Sequence, residues 1–111
     1  MEPENRARWT HGPNAIEVLT LMWNEQDGRC YLCGDELIRQ KAVVDHDHVC
    51  CPRGKTCSSC RRGYACQRCN RLIGAVGDDV DLLRRIADNL EVAFTAARAR
   101  IAAQPAQEEL R

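Results

Sequence analysis

Two Cys-x2-Cys pairs, Cys30/Cys33 and Cys66/Cys69, constrain this chain more than any other feature. Each pair can present two thiolates to one metal ion, and two pairs complete a tetrahedral zinc site. Closing that site brings the ends of the intervening stretch together, whatever lies between. The rival reading, a redox dithiol, usually rests on a single Cys-x2-Cys near a βαβ pattern. Zinc–thiolate binding contributes on the order of 10 kcal/mol to folding. A chain of 111 residues with two Trp, two Tyr and one Phe has few large side chains to bury and needs such a staple.

Four further cysteines, Cys50, Cys51, Cys57 and Cys60, fall in the stretch 49–63, which is rich in Pro, Gly and Ser and has no apolar period. A loop of that composition needs its own staple, and a second zinc supplies one. Cys57/Cys60 forms one knuckle. The vicinal pair Cys50-Cys51 is awkward for one ion, so His48 is an alternative fourth ligand. One or two structural zinc ions are therefore expected.

The segment Met1–Arg6 lacks the apolar stretch of a signal peptide, and no apolar run is long enough to span a membrane. The expected setting is a reducing cytoplasm with no membrane partner, where paired cysteines bind metal before forming disulfides. Net charge is zero, but its distribution is uneven. Between Arg39 and Arg71 stand Arg39, Lys41, Arg53, Lys55, Arg61, Arg62, Arg68 and Arg71, against only Asp45 and Asp47. A basic stretch around a small acidic spot suits a metal-dependent enzyme acting on a phosphodiester, or else a solvated loop.

The periodicity predicts a helix over 14–27, with Ile16, Leu19 and Trp23 on one face, Asn14 as N-cap and Gly28 at its end. Two short strands, 36–39 and 42–45, are predicted to form a hairpin that delivers Asp45 and His46. A short helix then carries Cys66, Cys69 and Asn70 to Ile73. Asp78-Asp79 starts a long helix to about Ala103, with Leu83, Ile86, Leu90, Phe94, Ala97 and Ile101 along a core-facing side whose spacing also suits a dimer contact. The fold class is small, zinc-stabilised α+β. Its parts are a flexible arm at 1–12, a zinc-bound core at 13–77 with the cysteine-rich insert at 49–63, and a C-terminal helix and polar tail at 78–111.

The run Val44-Asp45-His46-Asp47-His48 carries chemistry that a purely structural knuckle does not need. His46 suits a general base because imidazole titrates near neutral pH. Asp45 offers a hard carboxylate oxygen and Asn70 a neutral one, a donor set for Mg²⁺ or a similar divalent ion that keeps its waters. His48 divides between phosphate contact, zinc ligand and solvated loop. Arg61, Arg62, Arg68 and Arg71 divide between phosphate contact and solubility.

Cys30-x2-Cys33, then Val44–His48, then Cys66-x2-Cys69-Asn70 with Leu72, Gly74 and the Asp78-Asp79 helix start, resembles the recombination endonuclease VII family over about residues 26–92. These are HNH, or His-Me finger, nucleases of bacteriophage Holliday-junction resolution. The resemblance implies a ββα-metal core with flanking helices and Asp45 and Asn70 as ligands of a catalytic divalent ion. It also implies His46 as general base, His48 as a phosphate-contacting or orienting residue, and the four outer cysteines as zinc ligands. The expected activity is hydrolysis of DNA phosphodiesters, duplex, nicked or branched, in a bacterial or phage-infected cell, by a monomer or a homodimer joined through the last helix. The insert at 49–63 departs from the family pattern, and Ile73 stands where the phage enzyme has an acidic residue. The alternative function is a non-catalytic zinc-finger module that binds nucleic acid.

Overall fold

The computed structural model describes residues 12, 14–47, 49, 51, 55–57 and 59–105. Residues 1–11 of the expected arm, together with His48, Cys50 and Arg53, lie outside them. Among the described residues the fold is small α+β. Helix α1 (Ala15–Glu25) is followed by a 3-10 turn (Arg39–Lys41), strand β1 (Val43–His46), strand β2 (Arg61–Ala65), helix α2 (Gln67–Ala75) and helix α3 (Val80–Ala102). The chain divides into two compact units, Met1–Leu72 and Ile73–Arg111.

Helix α1 ends as its sequence predicts. Asp27 and Gly28 take positive φ, and Gly28 N–H reaches back to Trp23 O at 3.1 Å, satisfying a terminal carbonyl. Asn14 holds the N-cap position but makes no side-chain cap. The predicted hairpin is corrected. Residues 39–41 form the 3-10 turn, and Glu36 makes only a single bridge, to Arg29. The strand that pairs with β1 is β2, antiparallel, drawn from the last three residues of the expected insert and the two that follow them. The Arg-Arg-Gly start of β2 carries little strand propensity, which is why the sequence conceals it.

Side chains alternate across this two-stranded sheet. Val44 and the Tyr64 opposite it pack with Ala15 and Leu19 of α1, joined by Met22, Trp23, Leu37 and Ala42. Val43 and its partner Ala65 pack on the other side with Cys30, Cys69, Tyr31 and Cys66. Asp45, two residues beyond Val43, shares the cysteine side. Of the seven buried apolar residues described, three are cysteines, so the core depends heavily on what those sulfurs bind. The side-chain amide of Gln26 extends the sheet edge: Oε1 accepts from Tyr64 N–H at 2.7 Å, and Nε2 donates to Tyr64 O at 2.9 Å.

In the second unit, Asp79 caps α3 by accepting from Leu82 N–H at 2.9 Å. None of the helix is buried. The predicted core-facing side is instead exposed, with Leu90, Phe94 and Ile101 each more than half open.

Gly63 marks the tightest packing. Its φ is +153°, and a Cβ there would lie 2.9 Å from Cγ of the Tyr31 ring and 3.0 Å from Gln26 Oε1. Gly63→Ala is expected to lower stability by about 1–3 kcal/mol through overpacking. Chemical unfolding of the zinc-replete chain checks this, and an unchanged midpoint would contradict the packing described.

Candidate metal centres and active site

Cys30, Cys33, Cys66 and Cys69 bring their sulfurs within 4.8 Å of one another. Cys33 and Cys66, from different knuckles, are 3.9 Å apart, sulfur to sulfur. A tetrahedron of Zn–S bonds of about 2.3 Å has edges of about 3.8 Å, whereas a disulfide is near 2.05 Å. The spacing is that of ligands around one ion. Backbone N–H groups point at the sulfurs, as from Cys66 to Cys30 and from Cys69 to Cys66, both at 3.4 Å. Burial pushes the Cys30 thiol up, but the backbone N–H groups of Cys33, Cys66 and Leu32 outweigh it and bring the thiol down to about 6. Cys69 goes the other way. Burial, then hydrogen bonding to Cys66, Cys33 and Cys30, pushes it up to about 12.

A second cluster forms inside the insert. Cys51, Cys57 and Cys60 converge, with separations of 3.8 Å between Cys57 and Cys60 and 3.7 Å between Cys60 and Cys51. Both match the edge of a zinc tetrahedron. The two residues weighed for the remaining position, Cys50 and His48, lie outside the described residues. The structure therefore holds two cysteine clusters suited to zinc. The second one also reaches the sheet, because Cys60 directly precedes β2 and its carbonyl accepts from Asp47 N–H at 2.8 Å.

The first knuckle connects directly to the Asp-His run. Tyr31 stands between Cys30 and Cys33 of the first cluster, and its backbone N–H bonds Tyr64 O at 3.1 Å. Its ring lies against Gly63, and its hydroxyl donates to Asp45 Oδ2. Burial and this contact with a carboxylate raise the phenol above the usual tyrosine range. Asp45 is 2% exposed. Arg62 grips it with two bonds of 3.0 Å, Nε to Oδ2 and Nη2 to Oδ1. Burial alone would raise the Asp45 carboxyl, but the hydrogen bonds from Arg62 and Tyr31 outweigh it and hold the group below the usual carboxylate range.

The bulge explains how Arg62 gets there. Asp45 pairs with Gly63 and His46 with Arg61, which leaves Arg62 as the extra residue between them. A β-bulge re-aims a side chain locally, here onto the neighbouring carboxylate.

His46 closes β1 opposite Arg61; it is half-buried, with Nε2 covered by protein. Asp47 behaves as a turn residue, its Oδ1 accepting from Val49 N–H at 2.9 Å. Asn70 is half-buried in α2, directly after Cys69, with its N–H on Cys66 O at 3.0 Å. Two other basic candidates have partners at the surface. Arg68 pairs with Asp35 at 3.1 Å, and Arg71 Nη2 donates to Gln67 Oε1 at 3.1 Å. Arg61 is half-buried at the start of β2.

Sequence reasoning picked out the cysteines, Asp45 and His46, but gave no role to Tyr31 or Gln26. The signal for Tyr31 was its place between two ligands, where the knuckle fixes its direction. Asp45 and Asn70 have the donor chemistry for a hard divalent ion. Asp45, however, is buried, and both of its oxygens already accept protein hydrogen bonds.

The family model for recombination endonuclease VII matches residues 4–92, which takes in both knuckles, the Asp-His run, Asn70 and also α1. The chain belongs to the recombination endonuclease VII family. Membership implies a DNA endonuclease that acts on branched DNA. Comparison with curated proteins and with solved structures gave no significant match. No helix among the described residues is long and apolar enough to cross a membrane.

The two clusters give a direct expectation. The chain, purified under reducing conditions, should carry two zinc ions. Cys60→Ser should lower the count to one. Metal analysis by atomic emission checks both values, and a wild-type count of one would remove the second site.

Proposed function

We propose that this chain is a divalent-metal-dependent endonuclease of the HNH, or His-Me finger, type with a ββα-metal core. One observation carries the reading. Asp45 and His46 end the strand whose partner runs into the helix bearing Asn70, and one sulfur cluster pins that helix to the knuckle touching Asp45. The order β1, β2, α2 supplies two strands and a helix for such a core.

His46 is the general base, taking a proton from the attacking water at an imidazole nitrogen. Asp45 and Asn70 would hold Mg²⁺ or a similar ion, which when bound would supply a Lewis acid for the charge that builds on the phosphate. Arg61, Arg68, Arg71 and His48 contact flanking phosphates, which positions DNA without reading its sequence. Zinc is structural in both clusters. Branched DNA is the preferred substrate among duplex, nicked and branched forms. The exposed apolar side of α3 suits a homodimer, and the cytoplasm supplies the reducing conditions the thiolates need.

A second reading, the non-catalytic zinc-finger module, draws support from the engaged oxygens of Asp45. Cleavage decides between them. With Mg²⁺, the wild type should nick plasmid and cut a four-way junction faster than a linear duplex. His46→Ala should bind the same DNA yet cut about 10²–10⁴-fold more slowly. Cutting by that variant at the wild-type rate would overturn the mechanism, and no cutting by the wild type with any divalent ion would favour the binding module.

A further inference from the structure

We propose that Arg62 is an internal cation that occupies Asp45 until a divalent ion binds, and that it then turns to a DNA phosphate. The inference rests on the reading of Asp45 as a ligand and adds a residue and a coupling to it. Asp45 is 2% exposed and sits deep, while the Arg62 side chain is 30% exposed and is the partner nearer solvent. Of the donors to the carboxylate, Tyr31 is fixed by its knuckle, by its backbone bond to β2 and by the close approach of Gly63. Arg62 is the charged donor of the two, and as the extra residue of the bulge it reaches Asp45 with a long side chain.

Guanidinium and a hard dication make the same demand on a carboxylate: positive charge at close range. A buried carboxylate left without either is strongly disfavoured. Asp45 therefore exchanges one cation for the other and does not wait empty. The freed guanidinium matches a phosphate with the same two-pronged geometry it uses on Asp45. It stands next to Arg61, at the end of β1 where His46 sits. Metal and DNA thus draw on opposite members of one ion pair, and each favours the other's binding. Thermodynamic linkage makes that coupling reciprocal.

Titration of the zinc-loaded full chain with Mn²⁺, followed by loss of the free-ion electron paramagnetic resonance signal, tests this without any cleavage. Arg62→Met should bind Mn²⁺ about tenfold more tightly than the wild type, within the usual range of coupling factors. Adding four-way-junction DNA to the His46→Ala background should tighten Mn²⁺ binding, and adding Arg62→Met to that background should abolish the gain. Asp45→Asn should lose the Mn²⁺ site. If Asp45→Asn binds Mn²⁺ as the wild type does, Asp45 is no ligand and the underlying reading fails. If Asp45→Asn loses the ion while Arg62→Met binds it no more tightly than the wild type, the exchange alone fails. Should Arg62→Met not fold, the Arg62 Nε–H resonance of the wild type decides. It should be protected without divalent ion and become solvent-exchanging with Mg²⁺, and a resonance unmoved by saturating Mg²⁺ would overturn the proposal.

Discussion

Convergence of four sulfurs from two knuckles far apart in the chain is the constraint on which the first unit depends. The buried apolar residues on one side of the sheet are Cys30, Ala65 and Cys69, too few to hold a fold by hydrophobic burial. The cluster fixes the Cys30–Cys33 turn, and through it Tyr31. Tyr31 in turn bonds the backbone of β2 and donates to Asp45. On the far side, the same cluster fixes Cys69 and hence Asn70. One sulfur cluster thus sets the positions of Tyr31 and of Asn70 alike.

The insert extends the same logic. Its three converging cysteines end at Cys60, one residue before β2 and two before Arg62. Anchoring Cys60 sets where β2 begins and where its bulge falls. Gln26 and Gly63 then fix the rest of the strand, one by bonding its backbone and the other by admitting the Tyr31 ring. The result is a buried carboxylate held by a phenol on one side and a guanidinium on the other. That arrangement is well satisfied electrostatically, which keeps the Asp45 carboxylate charged although it is buried.

Much of this was legible in the sequence because it follows local rules. Cys-x2-Cys spacing announced both clusters, helical periodicity with Asp79 and Gly28 at helix ends located α1 and α3, and the Asp-His run drew attention to Asp45 and His46. What stayed hidden depends on long-range pairing. β2 has a weak local signal, and its place in the sheet comes from the cluster that holds Cys60 just before it and from Gln26 and Tyr31, which lie apart from it in sequence. Arg62 read as one more basic residue because nothing in its neighbours reveals a bulge. The apolar side of α3 matched the pattern of a core-facing helix, yet periodicity gives only the side and not what covers it.

Anomalous diffraction from crystals of the zinc-loaded chain soaked in Mn²⁺ tests the central claim most directly, since the two metals are separable by wavelength. Zinc signals are predicted at Cys30/Cys33/Cys66/Cys69 and at Cys51/Cys57/Cys60. A manganese signal is predicted at Asp45 and Asn70, with Arg62 turned away from the carboxylate. Manganese absent from Asp45, with Arg62 still gripping both oxygens at saturating Mn²⁺, would contradict the account.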